Sequence, residues 1–289
     1  MIASPTLAGR GTSRAVHRAL FVAAIVVGVA ILMFPVYWIV LSAFTPSQIL
    51  FSPHFDFLPL HWSLANFRTG FQVVPVGSYF LHSVVLGIVP ACLAILVALP
   101  AGYAFGRIKF FARGGILALI VFSGFLPIVA SIIPLFELFK DLGIIGTWWA
   151  LFLVYTGFLL GFTTWILSLF VARIPIEVEE AARLDGANEP ALLRFVMVPL
   201  LRPAIASLFI VDFLASWNQF LLPTIFSTSA STSPLVLGIS QASENPQLHS
   251  VAWGPQAAFG LIVVVPAIIV VLFFQRRIAG GLTAGAVKG

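Results

Sequence analysis

The sequence predicts an all-α polytopic membrane protein with six transmembrane helices, and three observations point there. Of 289 residues, 60% are hydrophobic and only 9% charged, against about 25% charged in soluble domains. The apolar residues fall into long runs with no strand-like alternation. The basic residues gather in short clusters between those runs, and every second gap carries almost none.

A helix needs about 20 apolar residues to cross hydrocarbon. Six runs qualify: 19–44, 80–105, 115–139, 147–170, 201–224 and 256–275. The first follows Arg10, Arg14 and Arg18 and could be mistaken for a secretion signal. It is longer than the roughly 7–15 apolar residues of a cleaved signal and lacks a good small-residue cleavage site. It is therefore read as a retained span. Prolines at 35, 90, 100, 127, 134 and 266 interrupt the runs, as membrane helices tolerate where neighbours or water satisfy the freed carbonyls.

Orientation follows from the cations. All of the 15 lysines and arginines except Arg68 and Lys140 fall before span one, after span two, between spans four and five, or after span six. The positive-inside rule makes that side, and hence both termini, cytoplasmic. Residues 1–18 then form a cytoplasmic segment, 19–275 the six-span domain, and 276–289 a cytoplasmic tail. Trp62, Trp148, Trp149 and Trp253 sit near the outer boundaries, where indoles favour the interface. The outer stretch 225–255 is polar and proline-bearing, and is expected to be irregular with at most a short helix. The net charge of +5 is spread over membrane-flanking clusters and argues for lipid contact, not nucleic acid.

Half of the ten acidic residues, Glu177, Glu179, Glu180, Asp185 and Glu189, lie in one cytoplasmic loop at about 174–200. Pro175 suits a first helical turn, with acids after it that complement the helix dipole. Gly186 suits a left-handed helix end, and Asn188 can cap a second helix that stops before Pro199. By shape this is an amphipathic connector along the membrane face. Its acids, however, suit a basic protein surface better than an anionic leaflet.

The same loop carries a resemblance. Glu180-Ala181-Ala182, three residues, Gly186, nine residues and Val196-Met197-Val198-Pro199 resemble the EAA loop of ABC importer permeases. Val196 and Val198 depart mildly from the Ile-x-Leu-Pro ending of that family. The tail from Gly281 to Gly289 is similar to that of carbohydrate-uptake permeases, especially the smaller maltose-type subunit. So is Trp217-Asn218-Gln219-Phe220-Leu221-Leu222-Pro223, with Gln219 where an acid is usual, and so is Leu64-Ala65-Asn66-Phe67 in the outer segment after span one.

The resemblance implies a type I permease fold in the cytoplasmic (inner) membrane, importing a sugar or oligosaccharide. It implies a second permease subunit, two ATP-binding-cassette ATPases that hold ATP and Mg2+, and an extracytoplasmic solute-binding protein. It further implies ATPase coupling through Glu179, Glu180, Ala181, Ala182, Asp185, Gly186 and Ala187. Gly281, Thr283, Gly285 and Lys288 would be tail residues contacting the ATPases. A permease for glycerol phosphate or a polyol, and an ion-gradient-driven transporter, are the alternatives.

No lysine is followed by Ser or Thr, so the chain lacks the phosphate-binding loop of an ATPase. The five histidines show no metal spacing, and no nucleophile–base set stands out. The chain is accordingly read as a non-catalytic subunit with no cofactor or metal of its own. Asp212 lies roughly 16 Å into span five at helical rise. A carboxyl at that depth faces the bundle or a water-filled cavity, either as a solute contact or gate or as a helix–helix contact. Asn218 and Gln219, nearer the outer end, have the same two readings.

Overall fold

The computed structural model describes residues 9–50, 52, 57, 58, 60–124, 128–243 and 253–283. All regular structure among them is helical. In chain order the helices are α1 (Gly9–Phe44), α2 (Ser47–Leu50), α3 (Ala65–Val73), α4 (Val76–Arg107), α5 (Arg113–Ser123), α6 (Ile128–Asp141) and α7 (Trp148–Val171). Then come α8 (Ile176–Leu184), α9 (Glu189–Ala191), a π-helical turn (Leu192–Met197), α10 (Val198–Trp217), α11 (Leu221–Phe226), a 3-10 turn (Leu235–Leu237), α12 (Gly238–Ser243) and α13 (Trp253–Thr283).

Five helical stretches are long and apolar enough to cross a membrane, and a sixth crossing arises if α5 and α6 count as one span. Those two helices lie at 90° to each other, a sharper break than the proline kinks expected in the run 115–139. Gly124 and Pro127 bracket the interval between them. Glycine weakens a helix, and proline removes a backbone donor and disfavours helix at the residue before it. The span expected at 201–224 also differs. Its helix ends at Trp217, Asn218 closes the last turn, and the separate helix α11 follows.

Helices α4 and α7 form the most extensive interface. Small residues on α4 permit it: Ala98 is fully buried, and Gly102 and Gly106 face Leu167, Ser168 and Val171 of α7. Membrane helices approach closely at such small-residue stripes. Helix α10 packs on α4, α7 and α13, and Trp217 Nε1–H donates to the Val263 carbonyl of α13 at 3.0 Å.

Within the stretch 225–255, the described residues carry the 3-10 turn and the short helix α12. Leu235, Val236 and Leu237 are buried, Ser83 of α4 accepts from the Leu235 N–H at 2.8 Å, and Tyr79 donates to Gln241 at 2.9 Å. A short apolar triplet among serines and threonines thus packs against the N-terminal part of α4.

Asn66 explains the Leu-x-Asn-Phe segment. Its Nδ2 donates toward the carbonyls of Ser42, Ala43 and Thr45 at 3.2, 3.1 and 2.7 Å, and its Oδ1 accepts from Ser47 at 3.0 Å. These carbonyls lie at and just beyond the C-terminus of α1, where helices leave acceptors unsatisfied. Asn66→Ala is expected to cost about 2 kcal/mol by orphaning buried acceptors, read as a lowered thermal midpoint of the detergent-solubilised protein.

Candidate functional site

The loop between α7 and α10 begins with α8, which Pro175 introduces and Gly186 ends. Gly186 has φ +89°, its N–H bonds the Arg183 carbonyl, and the Ala187 N–H bonds the Ala182 carbonyl, each at 3.0 Å. This pair of bonds is the Schellman ending that a left-handed glycine allows. Asn188 then caps the next helix, accepting from the Ala191 N–H at 3.0 Å.

That second helix does not stop before Pro199, contrary to the sequence reading. Glu189 to Trp217 is continuous. The Val198 N–H bonds the Leu193 carbonyl five residues back, so the ladder is already widened where the proline ring would meet an α-helical turn. The loop therefore feeds straight into span five without a break.

The acids of α8 do not share one environment. Glu180 and Asp185 are exposed, with Ala181 and Gly186 beside them. Leu184, which the sequence reading passed over, is 89% exposed. Ala182 and Ala187 are half-buried. Glu179 points the other way: it is 1% exposed, ion-paired with Arg107 Nε, and accepts from the Tyr103 hydroxyl at 3.1 Å. Its charge is spent inside the chain, unlike that of its neighbours. Arg107 also donates to the Ile174 carbonyl. Arg183 donates to the Tyr103 oxygen at 3.1 Å and to Glu189 at 2.9 Å, and the Glu189 carboxylate, foremost, raises the Arg183 pKa above its ordinary value. Sequence reasoning counted Arg107 only toward orientation. The i, i+4 spacing of Tyr103 and Arg107 at a helix end, opposite a loop rich in acids, was the available signal.

Within the bundle, Asp212 is 1% exposed. The Thr163 hydroxyl of α7 donates to its carboxyl, with Oγ1 2.9 Å from Oδ2. Asp212 borders a cavity of about 340 Å³ lined also by Val121, Phe158, Phe162, Trp165 and Ala215. So Asp212 makes a helix–helix contact and faces a cavity at once. Asn218 donates to the Leu214 carbonyl at 2.8 Å, and Gln219 Oε1 accepts from the Leu221 N–H at 3.2 Å. Both amides thus bond the backbone at the break between α10 and α11. The cavity residues Phe158, Phe162 and Trp165, and the Asp212 partner Thr163, carry no signal of their own in a mostly apolar run.

Of the tail residues, Gly281 and Thr283 fall in the last turn of α13, whereas Gly285 and Lys288 lie outside the described residues. Among the described residues no group of histidine, cysteine and carboxylate side chains is arranged to hold a metal ion.

Comparison with known proteins adds a family match, two relatives and one similar fold. The family profile described as "Binding-protein-dependent transport system inner membrane component" matches residues 95–283. The diacetylchitobiose uptake system permease protein NgcG of Streptomyces coelicolor is 33% identical over 258 residues, 89% of this chain and 85% of that protein. The trehalose transport system permease protein SugB of Mycobacterium tuberculosis is 30% identical over 265 residues, 92% and 95% respectively. In fold, the chain is similar to a chain of a bacterial ABC transporter involved in import of the acidic polysaccharide alginate. The TM-score is 0.75 at 18% identity, over 94% of this chain and 99% of that one.

Proposed function

We infer the task of this chain from the premise that it belongs to the binding-protein-dependent transport system inner membrane components: it is a permease subunit of an ATP-binding-cassette importer. The chain itself is a non-catalytic component of the inner membrane. Its solute is a carbohydrate, a sugar or oligosaccharide. The relatives named as diacetylchitobiose and trehalose permeases, aligned over about nine-tenths of the chain, support that substrate class. The family match does not favour an ion-gradient mechanism.

Both termini are cytoplasmic, and a second permease subunit completes the pathway. Two ATPase subunits carrying ATP and Mg2+ sit beneath, and an extracytoplasmic binding protein delivers the sugar. Glu180, Ala181, Leu184, Asp185 and Gly186 form the face offered to an ATPase. An exposed leucine flanked by acids suits a protein socket with apolar walls and a basic rim. The cavity beside Asp212 is part of the solute route, because a carboxyl inside a membrane is tolerated toward water or protein but not toward lipid. Asn218 and Gln219 line its outer approach, and the end of α13 with the residues after it reaches the ATPases.

The observation that carries the proposal is the family profile running through the loop and the last two long helices. Purification of the tagged chain from its native membranes tests it. An ATPase and a second permease are expected to co-purify, and proteoliposomes of that complex with its binding protein should accumulate radiolabelled oligosaccharide only with ATP. Recovery without an ATPase, or uptake that a protonophore abolishes, would overturn it.

A further inference from the structure

Glu179 and Glu180 are adjacent yet oppositely placed. Glu180 is exposed, whereas Glu179 is buried against the cytoplasmic end of α4. Both oxygens of Glu179 are taken, Oε1 by Arg107 and Oε2 by Tyr103. The Arg107 guanidinium spans two parts of the loop, since it also holds the Ile174 carbonyl. Arg183 closes the set from α8 by donating to Tyr103 and Glu189. Helix α4 therefore grips the loop at its entry, at the middle of α8 and, through Arg183, at the start of α9.

The same end of α4 is locked to α7. A Cβ on Gly106 would lie 2.6 Å from Val171 Cγ1, and one on Gly102 would lie 2.8 Å from Leu167 Cβ. Close packing leaves no room for α4 to slide on α7. One covalent route from α8 leads into α10 through the Gly186 turn, which has open space around it, and the other leads back to α7 through residues 172–175. The ionic route leads into α4, and it has no comparable hinge.

We propose that Glu179 is a force-transmitting joint: through Arg107 and Tyr103 it carries displacement of α8 into the α4–α7 pair, while Glu180 and its exposed neighbours receive that displacement from the ATPase. A buried ion pair is a poor source of net stability compared with apolar packing, but it fixes geometry well. The proposal rests on the reading that an ATPase docks on this loop. Arg107 and Tyr103 are positioning residues here; neither touches solute.

Cys92, the chain's one cysteine, lies midway along α4 and borders a cavity shared with Arg202 and Ile205 of α10, so the access of a membrane-permeant maleimide through that cavity reports α4 movement without a new label. In the purified complex its alkylation by N-ethylmaleimide is followed with no nucleotide and after trapping with ATP, Mg2+ and vanadate. The unaltered complex is expected to show a rate difference of about threefold or more, within the usual range of coupling between distant sites. Glu179→Gln and Arg107→Gln each should remove that difference, with ATP turnover falling less than the Cys92 response. The exchange Arg107→Glu with Glu179→Arg should restore part of it. Arg107→Lys, which keeps the charge, should retain more of the response than Arg107→Gln.

A full Cys92 response in Glu179→Gln, or no response in the unaltered complex, would overturn the joint. A Glu179→Gln complex that has lost its ATPase altogether would also overturn it, because Glu179 would then serve docking. Absence of an ATPase from the unaltered preparation would instead defeat the functional reading itself.

Discussion

Gly186→Pro is expected to abolish ATP-driven uptake while leaving the chain in the membrane at normal abundance. Gly186 holds φ +89° and donates to the Arg183 carbonyl. Proline fixes φ near −65° and has no N–H, so both halves of the turn fail together. The cost is about 3 kcal/mol, roughly a hundredfold against the aligned loop. No atom crowds the position, so the defect is one of backbone direction, and α8 is re-aimed relative to the Asn188 cap. Gly186→Asn should retain more uptake, since asparagine enters the left-handed region with less strain. Uptake into membrane vesicles, normalised to immunoblotted chain, measures both variants. Near-normal uptake by Gly186→Pro would remove the loop from the mechanism.

Gly102→Val is expected to have the largest effect on stability. A Cβ there would lie 2.8 Å from Leu167 Cβ and 3.2 Å from the Ser168 nitrogen. One is the stem of a side chain and the other is backbone, so neither can swing aside. The helices must separate along their closest contact, at a cost of about 3 kcal/mol, the upper end for overpacked cores. The thermal midpoint in detergent should fall sharply, and less complex should assemble. Gly77→Ala, also on α4 but in open space, provides the contrast and should leave the midpoint unchanged. An unaltered midpoint for Gly102→Val would mean that α4 and α7 are not packed as described.

The parts that could be read from the sequence are those governed by local chemistry. Apolar length locates spans such as α7, expected at 147–170 and found at Trp148–Val171. The Pro175, Gly186 and Asn188 signals place the helix start, elbow and cap because each acts within a few residues. What escaped depends on distant partners. Nothing local distinguishes Glu179 from Glu180, since the difference lies in Tyr103 and Arg107, more than seventy residues earlier. Pro199 signalled a helix end that a π turn upstream absorbs. Pro127 signals an interruption between α5 and α6, but nothing local sets its 90° angle. Asp212 was found by its charge, but its hydroxyl partner and aromatic neighbours were lost in a stretch where every residue is apolar or small.

The Asn66 tether has a consequence for how the protein meets membranes of different thickness. The apolar stretch of α1, His17–Phe44, has 28 residues and no part of its most apolar window buried, giving about 42 Å at helical rise against roughly 30 Å of hydrocarbon. Such a mismatch is relieved by tilt. Asn66 pins the end of α1 near Ser42 to Thr45 and α1 also packs on α13, so any tilt as lipids lengthen or shorten is shared by the two helices. Thickness of the surrounding membrane is thereby felt at the α1–α13 edge of the bundle.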